Sequence, residues 1–148
     1  MSDLALVKTE NQDFDLAFDG QDIVLTDSLQ NCIVISLLCH AREVVQNDAM
    51  ANIDAVFGGW WADALEDFST GSLMWTLHRQ KCDALAVKNA EKLASEALKW
   101  LIEDGVAKDV TVKGQQVAKN RVDIEINVLK PDGSKEDFRW QLNWEASL

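Results

Sequence analysis

The chain has 148 residues, of which 47% are hydrophobic and 26% are charged, and its formal net charge is −11. This length and composition predict a single globular domain over residues 1–148 with one sizeable core. Nucleic acids and anionic membrane surfaces are bound through basic groups, so a strongly acidic chain is a poor candidate for either partner. The charge favours a protein partner, and we expect no nucleic acid and no membrane.

The sequence also indicates where the protein is made and used. No apolar run approaches the roughly 18–20 residues of a membrane helix, and the first residues do not resemble a secretory leader. We therefore expect a cytoplasmic protein with reduced thiols. Cys32, Cys39 and Cys82 are each expected to be small buried core residues.

The first predicted element is a β-hairpin. Apolar residues alternate with aspartates over 13–19, the run breaks at Gly20, and the apolar face resumes at Ile23 and Leu25. A period of two is typical of half-buried strands. The run starts so soon after the terminus that we expect little before it.

A helix follows, from N-capping side chains at 26–28 to about Ala41. Its residues are apolar on nearly every side, and such a helix must be covered on most sides. The pattern therefore predicts the central helix of the fold.

Residues 42–72 are the least regular part of the chain and contain the sequence Gly-Gly-Trp-Trp at 58–61. A turn cluster at 69–72 can cap a short helix over 73–79. A long irregular connection within a compact domain is often functional.

The strongest helical pattern covers 83–104, where apolar residues recur every three or four positions. Asp83 suits the positive N-terminal end, and Gly105 suits a left-handed stop after the last turn. This segment predicts a long amphipathic helix.

The last third of the chain predicts three strands, because apolar and polar residues alternate over 110–113, 121–128 and 137–144. Pro131 and Gly133 mark a turn between the second and third strands. The fold class is therefore α+β, with the central helix and the long helix packed on an antiparallel sheet. That sheet is expected to contain the N-terminal hairpin and the C-terminal three-stranded meander.

Several enzyme and metal-site patterns can be weighed against the residues. Asp63 and Glu66 lie beside two tryptophans and could form the carboxylate pair of a muralytic enzyme, but 25 acidic residues make such a pair expected by chance. Cys39-His40 and His78 with Cys82 lack the paired spacing of a structural zinc site. No phosphate-binding glycine motif occurs. We therefore predict no catalytic residue, no metal and no cofactor.

The tryptophans give the main site hypothesis, since the chain has six of them and no tyrosine. Adjacent residues in an extended segment point in opposite directions, so one of Trp60 and Trp61 is expected to be exposed. An exposed tryptophan beside an arginine is typical of an interface anchor. The predicted partner-binding residues are Arg42, Trp60, Trp61 and Arg79. The alternative, in which both tryptophans are buried in a loop wrapped on the core, stays open.

The order and spacing of several motifs resemble the baseplate wedge proteins of Mu-like phages, the family of the product of Mu gene forty-six. That family is related to the small wedge protein of the T4 baseplate. The matching segments are 3–6, the apolar helix ending at Arg42, 58–63, 71–79 and 97–105. The T4-like branch carries Glu-Pro-Arg after its long helix, and this chain has Ala41-Arg42-Glu43 there, which suggests Arg42 in the place of the arginine.

The resemblance implies a structural, non-enzymatic component of a contractile phage or prophage tail baseplate. Such a protein would bind other wedge and tail proteins near the hub and the start of the sheath. Six copies, or a multiple of six, would be present in each particle. It would be found in the host cytoplasm during assembly and then in the virion tail baseplate. The alternatives are a muralytic enzyme and a generic intracellular protein-binding module.

Overall fold

The computed structural model describes residues 2–10, 13–42, 59–79 and 81–143. Strands and helices are both present, as the sequence predicts. The strands are β1 (Asp3–Leu4), β2 (Leu6–Lys8), β3 (Phe14–Leu16), β4 (Leu25–Thr26), β5 (Asp109–Ala118), β6 (Arg121–Leu129) and β7 (Lys135–Asn143). The helices are α1 (Gln30–Leu38), α2 (Ala84–Ala97) and α3 (Trp100–Glu103), with 3-10 helices at Trp61–Ala64 and Met74–Arg79.

The C-terminal strands form the predicted meander, with β6 between β5 and β7 and both pairs antiparallel. Alternate residues of β6 are fully buried on one face, and these are Val122, Ile124, Ile126 and Val128. The turn before β7 is closed by a hydrogen bond from the Gly133 amide to the Lys130 carbonyl (3.0 Å). Trp144, the last residue of the third predicted strand, lies outside the described residues.

Helix α2 covers the apolar face of the meander with its smallest side chains. Ala86, Ala90 and Ala94 are completely buried, so the helix backbone lies close to the sheet. Gly114 of β5 allows this approach, because a Cβ atom there would lie 3.0 Å from a methyl group of Val87. Burial of this interface is the main apolar contribution to the core.

The segment predicted as one helix over 83–104 is a bent helix. Asp83 caps its start, accepting hydrogen bonds from the amides of Leu85 (3.0 Å) and Ala86 (2.9 Å). The α-helical pattern breaks between Ala97 and Trp100, where the Leu101 amide donates to the Leu98 carbonyl only three residues back (3.1 Å). This tighter turn lets Leu98 and Leu101 both point into the core, where each is fully buried. None of the helices in the described ranges is long and apolar enough to cross a membrane.

Helix α1 is shorter than the sequence predicts, ending at Leu38 rather than near Ala41. Cys39 is extended, and its carbonyl accepts a hydrogen bond from the Ser72 amide (2.9 Å), so the chain leaves the helix to pair with a distant segment. The start of α1 is also set by tertiary structure. A carboxylate oxygen of Glu136, on β7, accepts from the Leu29 amide (3.1 Å) and from the Ser28 hydroxyl (2.8 Å).

The coverage of α1 is only partial. Ile33 and Leu37 are buried in the core, but Ile35 and Leu38 are exposed. The prediction that all three cysteines are buried is wrong, because Cys39 is exposed and Cys32 and Cys82 are only partly buried. The physical reason is that α1 ends at Leu38, one residue before Cys39, so the Cys39 side chain does not lie on the buried side of the helix.

The N-terminal strands pair among themselves and are not part of the meander. The three ladders are β1 with β4, β2 with β3, and β5 with β6 and β7. The expected single sheet is therefore divided, and residues 3–8 form strands that the sequence pattern misses. The two parts meet through Phe14, whose ring stacks on Trp140 of β7 at 5.3 Å between centroids.

Candidate partner-binding surface

Residues 59–72, called here the tryptophan loop, begin and end beside the C-terminal end of α1. The Gly59 amide donates to the His40 carbonyl (2.8 Å), and the Ala41 amide donates to the Ser72 carbonyl (2.9 Å). His40 and Ser72 form a parallel bridge. Backbone hydrogen bonds therefore fix both ends of the tryptophan loop to one short stretch of chain.

Ser72 and Trp75 make the base of the loop rigid. Ser72 is buried, and its hydroxyl donates to the Leu37 carbonyl (2.7 Å) and accepts from the Met74 amide (3.2 Å). The indole of Trp75 donates to the Ala41 carbonyl (3.1 Å) and stacks on His40, with 5.6 Å between centroids. Satisfied polar groups of this kind hold a connection in one conformation.

Asp63 closes the interior of the tryptophan loop. Its carboxylate accepts from the amides of Thr70 (3.0 Å) and Trp60 (3.2 Å), and it receives a long hydrogen bond from the Ser69 hydroxyl (3.5 Å). The hydrogen bond from the Thr70 amide is the main reason that the pKa of Asp63 lies below its usual range. Backbone amides hold this carboxylate in its charged form, and the carboxylate in turn joins the two sides of the loop.

The loop presents an apolar patch, defined as the side chains of Trp60, Trp61, Leu65 and Phe68. Trp60 is 46% exposed, Trp61 is 74% exposed and Leu65 is 76% exposed, and Phe68 is also exposed. The two indole rings contact each other, with centroids 5.6 Å apart and planes tilted by 58°. The expectation that one tryptophan is exposed is thus exceeded, and the alternative in which both are buried is wrong.

Sequence reasoning missed Leu65 and Phe68. They flank Glu66 and Asp67 in a segment without regular period, so no helix or strand pattern marks them. Only the conformation of the loop leaves both side chains exposed. The available signal was local: two large apolar residues in an acidic, irregular segment have no element to bury them.

The two predicted arginines differ in what the structure describes. Arg42 is exposed and lies against Gly59, where an added Cβ atom would be 3.0 Å from both the Cβ and the Nε of Arg42. Arg42 is therefore positioned beside Gly59, the first residue of the tryptophan loop, which directly precedes Trp60 in the sequence. Arg79 ends the 3-10 helix Met74–Arg79, and its side chain lies outside the described residues.

The carboxylates of the loop do not form an acid and base pair. A general acid needs a raised pKa, and the pKa of Asp63 is lowered by its hydrogen bonds. Glu66 is exposed, without the apolar pocket that such an acid requires. Within the described ranges, no group of three or more histidine, cysteine, aspartate or glutamate side chains could hold a metal ion.

Comparison with known proteins gives consistent matches over most of the chain. A family model described as phage protein GP46 matches residues 29–135. The Mu-like prophage FluMu protein gp46 of Haemophilus influenzae is 40% identical over 145 residues, which cover 97% of this chain and 98% of the relative. The baseplate protein gp46 of Escherichia phage Mu is 33% identical over 134 residues, which cover 90% of this chain and 91% of the relative.

Proposed function

The chain belongs to the family described as phage protein GP46, and from this we propose that it is a structural, non-enzymatic component of a contractile tail baseplate. The name of its Mu relative, a baseplate protein, supports the assignment. We propose that the protein binds other wedge and tail subunits near the hub and the start of the sheath. It would act in six copies or a multiple, after assembly in the host cytoplasm.

The observation that carries the proposal is the apolar patch on a fixed loop. Four large apolar side chains within nine residues are exposed, which is unusual unless a partner covers them. Both ends of the loop are held by backbone hydrogen bonds, so little conformational entropy is lost on binding. Arg42, Trp60, Trp61 and Arg79 remain the proposed contact residues, and Leu65 and Phe68 extend the set.

A repeated assembly strengthens this interpretation. Each copy in a ring repeats the same contact, so interfaces of modest affinity become effective through high local concentration. A rigid patch suits this purpose, because it presents the same geometry in every copy.

The enzyme alternative has no support from the geometry of the loop. Asp63 already accepts hydrogen bonds from two backbone amides, so it is poorly placed to give a proton to a leaving group. A glycosidase acid needs the opposite environment. We therefore retain the structural role over the muralytic one.

The test is direct binding between the purified chain and each of the other tail proteins encoded in the same genome, produced separately. The variants are Trp61→Ala and Leu65→Ser, and Leu85→Ser on α2 is the matched control because Leu85 is 63% exposed and outside the loop. Hot-spot residues of an interface contribute about 2 kcal/mol or more, so each loop variant should bind its partner about thirtyfold more weakly. The Leu85→Ser variant should bind like the wild type.

Circular dichroism must show that all three variants are folded. The site assignment is overturned if a tail protein binds the wild type and both loop variants equally well. The baseplate role itself is overturned if the wild type binds none of the tail proteins.

A further inference from the structure

A second surface lies at the opposite end of α1, on the residues that precede the helix. We infer that residues 2–10 and 13–28, called here the N-terminal lobe, form a docking surface for a basic segment of another tail protein. This segment would carry lysines or arginines around an apolar centre. The inference rests on the proposed function for its choice of partner, but it concerns a different surface and different residues.

Charge is the first argument. The lobe has seven carboxylates and one lysine, a net charge of −6, whereas residues 29–148 have 18 acidic and 13 basic side chains, a net charge of −5. All seven carboxylates are exposed. Among the described residues, none of the seven forms a salt bridge. More than half of the net charge of the protein is therefore concentrated on one small lobe and is not neutralised there.

Exposed apolar side chains lie among these carboxylates. Leu4, Val7, Phe18 and Leu25 are exposed, and Leu25 is 62% exposed. Leu4 and Leu25 are directly opposite each other in the β1 and β4 ladder, so their side chains are neighbours on one face. A lobe that exposes both apolar side chains and carboxylates is complementary to a basic, apolar segment.

The lobe is held rigidly on α1, as an interface requires. The Asn31 side-chain amide donates to the Asp3 carboxylate (2.7 Å) and to the Leu4 carbonyl (2.7 Å). The Gln30 side-chain amide donates to the Leu6 carbonyl (3.2 Å). On its other side, Phe14 stacks on Trp140. These contacts fix the first strands against both α1 and the meander.

The position of the lobe separates it from the apolar patch. The lobe is bound at the first turn of α1, through Gln30 and Asn31, and the tryptophan loop is bound just after the last turn, through Cys39 and Ala41. A helix of nine residues is about 13 Å long. The protein would therefore connect two partners, one through an apolar contact and one through a charged contact.

The experiment measures binding of the full-length chain to each separately produced tail protein at about 0.05 M and about 0.3 M salt. One variant neutralises three exposed lobe carboxylates that accept no hydrogen bond from another of the described residues, Glu10→Gln, Asp13→Asn and Asp27→Asn. Its matched control neutralises three exposed carboxylates elsewhere, Glu103→Gln, Asp104→Asn and Asp109→Asn. A second test variant is Leu25→Ser, with Leu85→Ser as its control for equal exposure.

We expect one tail protein whose affinity for the wild type falls about tenfold or more between the two salt concentrations. The lobe variant with three neutralised carboxylates should bind that protein about fivefold to thirtyfold more weakly at low salt, and its control should not. Leu25→Ser should weaken the same contact, whereas Trp61→Ala should leave it unchanged.

The inference is overturned if the lobe variants bind every tail protein as the wild type does, even when Trp61→Ala abolishes one contact. In that case the proposed function stands and only the second surface fails. If the charge control weakens binding as much as the lobe variant, the effect comes from total charge and the lobe is not the site. If the wild type binds no tail protein, the lobe inference and the proposed function both fail.

Discussion

Replacing Gly71 by alanine should loosen the attachment of the tryptophan loop to α1, and Gly20 provides a matched control. Both glycines have nearly the same positive φ, 97° for Gly71 and 98° for Gly20. A side chain in the left-handed region costs about 1–2 kcal/mol at either position. An added Cβ meets nothing within 4 Å at Gly20, whereas at Gly71 it lies 2.3 Å from the carbonyl oxygen of Cys39.

The additional cost at Gly71 follows from what surrounds that contact. The Cys39 carbonyl accepts from the Ser72 amide (2.9 Å), and the Ser72 carbonyl accepts from the Ala41 amide (2.9 Å). The Cβ can be accommodated only if these backbones separate, which strains or breaks both hydrogen bonds. Overpacking and lost hydrogen bonds of this kind together cost about 2–3 kcal/mol. Gly71→Ala should therefore lower the free energy of unfolding by about 2–3 kcal/mol more than Gly20→Ala does.

The assay is urea unfolding of both variants and the wild type, followed by far-ultraviolet circular dichroism and by tryptophan fluorescence. For a chain of this size, the difference between the variants corresponds to about 5–10 °C in Tm. If the two variants lose the same free energy of unfolding within about 0.5 kcal/mol, the close contact between Gly71 and Cys39 does not exist in solution. The attachment of the tryptophan loop to α1 would then be refuted.

Three other substitutions test the contacts that hold the fold. Burial would raise the pKa of Glu136, but hydrogen bonds from Lys130, Ser28 and Leu29 outweigh it and the pKa is lowered. Glu136→Gln should thus cost about 1.5–3 kcal/mol at neutral pH. Because the pKa is lowered in the folded state, this stabilisation is complete above the usual glutamate pKa and is lost as the pH falls from there through the lowered pKa. The cost should therefore shrink over that range, which urea unfolding at several pH values measures. Asp83→Ala removes the cap of α2 and should cost about 1 kcal/mol in the same assay, against no effect for the exposed Asp104→Ala. Gly114→Ala places a Cβ against α2 and should cost about 1–3 kcal/mol; an unchanged midpoint would contradict the close approach of helix and sheet.

The elements that the sequence predicts best are those whose pattern repeats over many residues. The alternation over 121–128 appears in β6 as alternate buried residues, because a strand has a strict period of two. The cap at Asp83 and the turn at Gly133 are also found where expected, since both depend on local backbone chemistry. Local rules are sufficient when the interactions that define an element lie within a few residues.

The limits of α1 show why other elements could not be predicted. The helix begins where Glu136, more than a hundred residues away, accepts hydrogen bonds from its first turn, and it ends where Cys39 pairs with Ser72. Neither partner can be recognised from the residues around 28–41. The same is true of residues 3–8, whose strands form only because β3 and β4 fold back beside them.

The sequence by itself determined the α+β class, the meander and the amphipathic α2, because these follow from periodicity, composition and residue type. The tertiary structure alone decided that Trp60 and Trp61 are both exposed, that Leu65 and Phe68 of the same loop are exposed as well, and that the Asp63 carboxylate accepts hydrogen bonds within the loop. Exposure depends on which surfaces meet, and those contacts are made between segments far apart in the chain. The residue types of a candidate surface can therefore be proposed from a sequence, but which side chains are exposed is fixed only when the backbone is folded.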